Sequence, residues 1–89
     1  MLQGMAVVVF TGNLKRHVAC PRARAEGASV GAVLDKVFAD NPRLRAYVLD
    51  DQGRIRAHVN VYVNDRRAAL DDAVGARDEI FVFQALSGG

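Results

Sequence analysis

A chain of 89 residues is one domain by length, and a fold of this size buries about 60–65% of its unfolded surface, enough for a single small core. Its composition, 51% hydrophobic and 25% charged, excludes a disordered tail or a fibre. The net charge is +2, and the arginine pairs Arg43/Arg45, Arg54/Arg56 and Arg66/Arg67 are interspersed with Asp50, Asp51, Asp65 and Asp71; this reads as solvated surface, and nucleic acid is not an expected partner.

The single cysteine, Cys20, excludes a disulfide within the chain and a multi-cysteine zinc or iron–sulfur centre. No apolar run reaches membrane-spanning length, and the first residues lack the basic-then-apolar pattern of a secretory signal. The expected setting is therefore cytoplasmic, with no membrane partner. Met1 and Met5 are both plausible starts. Residues 1–4 are expected to form a loose leader, residues 5–84 the folded domain, and residues 85–89 a flexible tail.

Ala6-Val7-Val8-Val9-Phe10 is a β-branched run that predicts a strand buried on both faces. Thr11-Gly12-Asn13 predicts a turn. Residues 16–23 alternate weakly, with Val18 and Cys20 on one side, and Pro21 assigns that strand to a sheet edge because proline donates no ladder hydrogen bond. Val30, Val33, Leu34, Val37 and Phe38 form one apolar helical stripe. Ser29 stands where it can cap the helix, and Asn41-Pro42 predicts its end. Leu44, Tyr47 and Val48 predict one more helical turn, followed by a turn at Asp50-Asp51-Gln52-Gly53.

Ile55, Ala57, Val59, Val61 and Val63 alternate with Arg56, His58, Asn60 and Tyr62, which predicts a strand from 55 to 63 with one face on the core. Asn64-Asp65 is a hairpin turn pair. Residues 67–70 predict a short strand or an extended piece, and Ile80 to Gln84 the last strand. This order gives an α+β class: a mixed four- or five-stranded sheet packed on one main helix. It is compatible with the β-grasp, or ubiquitin-like, fold, although periodicity alone does not fix the topology.

Ala85-Leu86-Ser87-Gly88-Gly89 follows the last strand without charge or proline, and with no bulky group after Leu86. Such a tail can thread a narrow channel, because glycine lets surrounding walls approach the backbone closely. A terminal Gly-Gly is also compatible with a frayed end of no function. The α-carboxylate of Gly89 is ionised at neutral pH and is a poor electrophile, but it can attack the α-phosphate of ATP. The acyl-adenylate so formed accepts sulfur from a persulfide or thiol, which would make the domain a macromolecular group carrier.

From Val59-Asn60-Val61-Tyr62-Val63-Asn64-Asp65 through Asp78-Glu79-Ile80 to Gly88-Gly89, the chain resembles the ubiquitin-like sulfur-carrier family of ThiS/MoaD type. The Val59–Asp65 strand is most similar to carriers serving cysteine synthesis. The resemblance implies a β-grasp over nearly the whole chain from Met5, and a carrier that is not itself an enzyme. A ubiquitin-activating-type enzyme would adenylate Gly89, a persulfide protein would donate sulfur, and a further enzyme would accept it. The resemblance makes Gly89 the site of the thiocarboxylate, with Gly88, Ser87 and Leu86 threading the channel. ATP and metal would belong to the activating enzyme, with no cofactor bound by this chain. Ala76-Arg77-Asp78-Glu79 stands where the family commonly has D-G-D-E, and Gln84-Ala85 where it often has a proline; neither change touches the carboxylate chemistry.

The resemblance also points Ile80 and Val82 into the core and leaves Phe81 and Phe83 to meet a partner. The alternative for the two phenylalanines is packing within the domain. Cys20 reads as a small apolar residue, His17 and His58 as surface residues without metal-ligand spacing, and Asp50-Asp51 and Asp71-Asp72 as turn residues without catalytic role. Two rival functions stay open. One is a ubiquitin-like modifier joined to lysines through Gly89; the other is a β-grasp binding module whose Gly-Gly is incidental.

Overall fold

The computed structural model describes residues 5–11 and 22–84. The β-branched run forms β1 (Ala6–Thr11), with Ala6, Val8 and Phe10 buried. Val7 and Val9 are only half-buried, so β1 has one core face and not the two that its unbroken apolar run predicts. The strand also runs through Thr11, the first residue of the predicted turn. Gly12-Asn13, and the stretch 16–21 with His17, Val18, Cys20 and Pro21, lie outside the described residues. The described part of the second strand is β2 (Arg22–Ala25), which extends two residues past the predicted end at Ala23. It pairs antiparallel with β1 and lies at the sheet edge, as expected.

The apolar stripe forms α1 (Val30–Asp40), burying Val30, Val33, Leu34, Val37 and Phe38 against the sheet. A helix start leaves N–H groups without intrahelical partners, and here those of the first three helical residues are met. The Ala32 N–H donates to Ser29 Oγ at 3.2 Å. Those of Val30 and Gly31 donate to the carbonyls of Asp72 and Leu70 at 2.9 and 2.8 Å. The helix is thereby fastened to the loop that leads toward the last strand. Replacing Ser29 with alanine is expected to destabilise the fold by about 1 kcal/mol, read as a lower urea midpoint at unchanged slope.

Asn41 ends α1, and Pro42 takes the first turn of α2 (Pro42–Val48), where its missing N–H costs nothing. This second helix is seven residues long, more than the single turn expected. Its Leu44 and Val48 enter the core, while Tyr47 faces outward. The following turn is closed by Asp50, whose Oδ1 accepts the N–H groups of Gln52 and Arg54 at 2.9 Å each.

The strand predicted over 55–63 is shorter than its alternation: β3 is Val59–Val63. Backbone competition explains the loss. The Arg56 N–H donates to the Val48 carbonyl at 3.0 Å, and its Nε to the Ala46 carbonyl at 2.8 Å. These donors satisfy carbonyls at the C-terminal end of α2 and draw residues 55–56 toward that helix. The Val59 N–H then bonds the Arg56 carbonyl, closing a turn that leaves Ala57 and His58 exposed. Likewise β4 is Arg66–Arg67, not 67–70. The Ala69 N–H is instead taken by the Asp72 carboxylate at 2.8 Å.

The last strand, β5 (Glu79–Gln84), lies at the centre of a five-stranded sheet ordered β2-β1-β5-β3-β4. It runs parallel to β1 and antiparallel to β3, so the sheet is mixed. Both helices lie on one face, over a core that includes Phe10, Leu34, Leu44, Val61, Ile80 and Val82. The result is the α+β architecture expected of a β-grasp, with a short second helix added to the main one.

Candidate functional site: the open sheet face and the strand leading to the tail

A sheet with helices on one side keeps the other side free, and the register decides what stands there. In β5, Ile80 and Val82 are fully buried, whereas Phe81 and Phe83 point to the opposite face and are half-buried. The pairings Val9↔Arg22, Val9↔Phe81, Tyr62↔Phe81 and Tyr62↔Arg67 place five residues in one row across all five strands. That row reads Arg22, Val9, Phe81, Tyr62, Arg67. A neighbouring row holds Arg24, Val7 and Glu79, and another pairs Phe83 with Asn60. The face is apolar at its centre, with arginines on both flanks.

Tyr62 and Phe83 stack with ring centroids 5.7 Å apart and planes 24° apart. With Phe81 and Asn64 they line an open depression of about 240 Å³. Tyr62 is the member that sequence reading missed. Alternation puts it among polar neighbours, and only its cross-strand pairing with β5 brings it to the phenylalanines. Arg22 donates to Glu79 at 3.4 Å, with both side chains well exposed.

At the start of β5 the Asn64-Asp65 turn is clamped to the segment before the strand. Asn64 holds φ 56°, in the left-handed region that asparagine tolerates better than most residues. Its Nδ2 donates to Asp78 Oδ1 at 3.0 Å, its Oδ1 accepts the Glu79 N–H at 3.1 Å, and its own N–H donates to the Glu79 carbonyl at 2.7 Å. Asp78 Oδ2 accepts the Gly75 N–H at 2.8 Å.

The Gly75 N–H, followed by the Asn64 amide, holds the Asp78 carboxyl below its ordinary value of 3.8. The ionised form is thus the one the fold favours. Its contribution is complete above the ordinary carboxylate value and is lost as the pH falls through the lowered folded-state value. Asp78→Asn is therefore expected to lower the thermal midpoint at neutral pH. It should also flatten the decline below about pH 4, which midpoints measured across pH for both proteins would show.

Of the other residues singled out by sequence, His58 is exposed in its turn, and Asp50 and Asp72 serve as turn acceptors. Among the described residues no group of three or more His, Cys, Asp or Glu side chains is placed to hold a metal ion, and no helix is long and apolar enough to cross a membrane. Leu86, Ser87, Gly88 and Gly89 lie outside the described residues, as does Cys20.

Comparison with known proteins agrees with this architecture. The profile of the ThiS family matches residues 9–89. Small archaeal modifier protein 1 of Haloferax volcanii is 40% identical over 62 residues, which cover 70% of this chain and 71% of that protein. The crystal structure of the same Haloferax protein superimposes with a TM-score of 0.87 at 31% identity, covering 97% of this chain and 100% of that one. A chain of the Amycolatopsis orientalis BexX/CysO complex gives a TM-score of 0.82 at 25% identity, covering 94% and 99%. With the sheet order, the helix across one face and a match that spans most of its length, the chain belongs to the ThiS family of ubiquitin-like sulfur carriers and small modifiers.

Proposed function

We propose that this protein carries sulfur as a thiocarboxylate on Gly89. The observation that supports this most is the position of β5. It is the central strand, held by β1 on one side and β3 on the other, and its last residue, Gln84, leads directly into Ala85-Leu86-Ser87-Gly88-Gly89. A strand held on both edges is a firm base from which to offer a short uncharged tail to another protein's active site.

In this reading a separate ubiquitin-activating-type enzyme binds ATP and any metal. The Gly89 carboxylate attacks the α-phosphorus and pyrophosphate leaves, forming an acyl-adenylate. The terminal sulfur of a protein persulfide then attacks the acyl carbon and AMP departs. A thiol cleaves the resulting acyl disulfide at its S–S bond, leaving the thiocarboxylate on Gly89 and a mixed disulfide on the donor. Gly88, Ser87 and Leu86 occupy the channel of the activating enzyme, while Phe81 and Phe83 dock on its surface. A further enzyme accepts the sulfur, and the cycle runs in the cytoplasm.

Intact mass after incubation with the activating enzyme, ATP and a persulfide donor tests the proposal. Replacement of one oxygen by sulfur, localised to Gly89, is the expected result; an unchanged mass with a competent enzyme rejects it. The relative's name, a modifier protein, favours one second reading, in which a lysine amine attacks the same adenylate to form an isopeptide bond. Covalent adducts that end in Gly89 on other proteins would support that outcome.

A further inference from the structure

Beside β2, on the helix side of the sheet, the fold leaves a groove of about 550 Å³. Phe10, Ala23, Ala25, Val37 and Leu44 give it an apolar lining, joined by the half-exposed Met5. Its size is that of a ligand pocket, about 300–1,000 Å³, yet one wall is the outer edge of a strand. The bonding of β1 decides which backbone groups of β2 face outward. The Val7 N–H donates to the Asp78 carbonyl at 3.3 Å, so Val7 and Val9 turn their backbone groups to β5, and Ala6 and Val8 turn theirs to β2. Ala25 and Ala23, opposite Ala6 and Val8, complete that ladder, and Arg24 between them points its N–H and C=O away from the sheet. Among the described residues no strand pairs with this edge. We propose that β2 is a docking edge for an extended segment of another protein. The segment adds as a further strand beside β2, seats apolar side chains in the groove and presents acidic ones to the arginines on the other face.

The two faces of β2 set the pattern of the occupant. An added strand alternates as β2 does, so one set of its side chains lies beside Ala23 and Ala25, over the groove, and the other beside Arg22 and Arg24. Alanines at the first two positions are what leave the groove open. Along it the charges of Glu26 and Asp40 stand against those of Arg24 and Lys36, so apolar contact decides there. On the other face Glu79 contacts Arg22 at 3.4 Å, whereas Arg24 makes no ion pair with any described residue and awaits an acidic neighbour. A second copy of this chain is the poorer occupant. Antiparallel pairing of two β2 strands within Arg22–Ala25 sets outward-facing arginine against arginine, and pairing with a second β4 brings Arg66 and Arg67 there. Charged edges guard sheets against such self-pairing, and a segment with acidic residues at alternate positions passes the guard. The inference does not rest on the carrier reading. The edge is separated from β5 by β1, so a segment held there leaves β5 untouched.

The test is an NMR titration of the isotope-labelled full chain with a short blocked peptide in which isoleucine alternates with aspartate. Amide shifts are expected at Arg22–Ala25 and at Lys36 and Val37, with exchange of the Arg24 N–H slowed by about tenfold or more. Peptides N-methylated on the bonds that face β2, or with lysine in place of aspartate, should bind about tenfold more weakly. Arg24→Pro removes the outward N–H without touching the ladder, a change that edge strands tolerate, and should abolish binding. Should that variant not fold, Arg24→Glu keeps the strand and is expected to weaken binding by about fivefold. Failure of the parent to bind the peptide overturns the proposal, as does binding indifferent to N-methylation or shifts centred on Tyr62, Phe81 and Phe83. Two further results overturn it by naming another occupant. An Arg24 N–H already protected without peptide, and exposed by removing residues 1–4, gives the groove to the chain's own N-terminus. A dimer of the parent that Arg24→Glu abolishes or strengthens gives the edge to a second copy.

Discussion

Deletion of Gly89 is expected to abolish the proposed thiocarboxylate formation while leaving the folded domain intact. The expectation follows from where the chemistry sits. In the proposed cycle the activating enzyme must place one carboxylate oxygen in line with the α-phosphate, and a shift of about 1 Å in such a reaction can cost about a hundredfold in rate. Removing Gly89 withdraws the carboxylate by a whole residue, about 3.3–3.6 Å of extended chain, and leaves it on Gly88. Appending a residue after Gly89 should be equally damaging, since the carboxylate then belongs to a side-chain-bearing residue outside a channel fitted to glycine. Thermal midpoints of both variants should match the parent, because the core and the β5 pairings are untouched. A Gly89-deleted protein that still gains sulfur would refute the assignment.

Leu34→Ala is expected to have the largest effect on stability. Leu34 is wholly buried on the α1 face against the sheet, within the cluster that contains Val8, Phe10, Ile80 and Val82. Truncating a buried leucine costs about 2–5 kcal/mol, part from lost transfer energy and part from the cavity left behind. A chain of this length has a total stability of about 4–13 kcal/mol, so the substitution removes a large share of it. The thermal midpoint should fall by about 10–30 °C, measurable by calorimetry, with the fraction folded at 37 °C visibly reduced. A fall of a degree or two would mean that the packing around α1 is looser than described.

The contrast between these sites shows what the sequence makes legible. The main helix could be read in full because three independent signals coincide: the apolar stripe, Ser29 before it and Asn41-Pro42 after it. In β5 alternation separated Ile80 and Val82 from Phe81 and Phe83, and the family resemblance pointed the first pair inward, which their burial bears out. The beginning of β3 was not legible, since alternation reports side-chain polarity and is blind to Arg56 bonding the end of α2. Tyr62 escaped for a related reason. Its neighbours along the chain are Val61 and Val63, but the rings it meets, Phe81 and Phe83, are a strand away. The arginine flanks needed the sheet order as well, for nothing in the spacing of Arg22 and Arg67 shows that they stand at opposite edges of one row. The tail was read from its composition, its carboxylate chemistry and the family resemblance, and its assignment rests on the tests above.

The central place of β5 bears on how the molecule comes into being. It is the last of the five strands to leave the ribosome, and the β1–β2 and β3–β4 pairs meet one another in the sheet only through it. A chain released before Glu79 would be two unjoined pairs of strands with unpaired inner edges, the kind of surface that aggregates or is degraded. Because the tail follows the strand that completes the sheet, a chain that has reached Gly89 already contains all five strands of the described sheet. Synthesis order thus acts as a form of quality control: incomplete chains lack both the finished sheet and, in the proposed cycle, the residue to be activated.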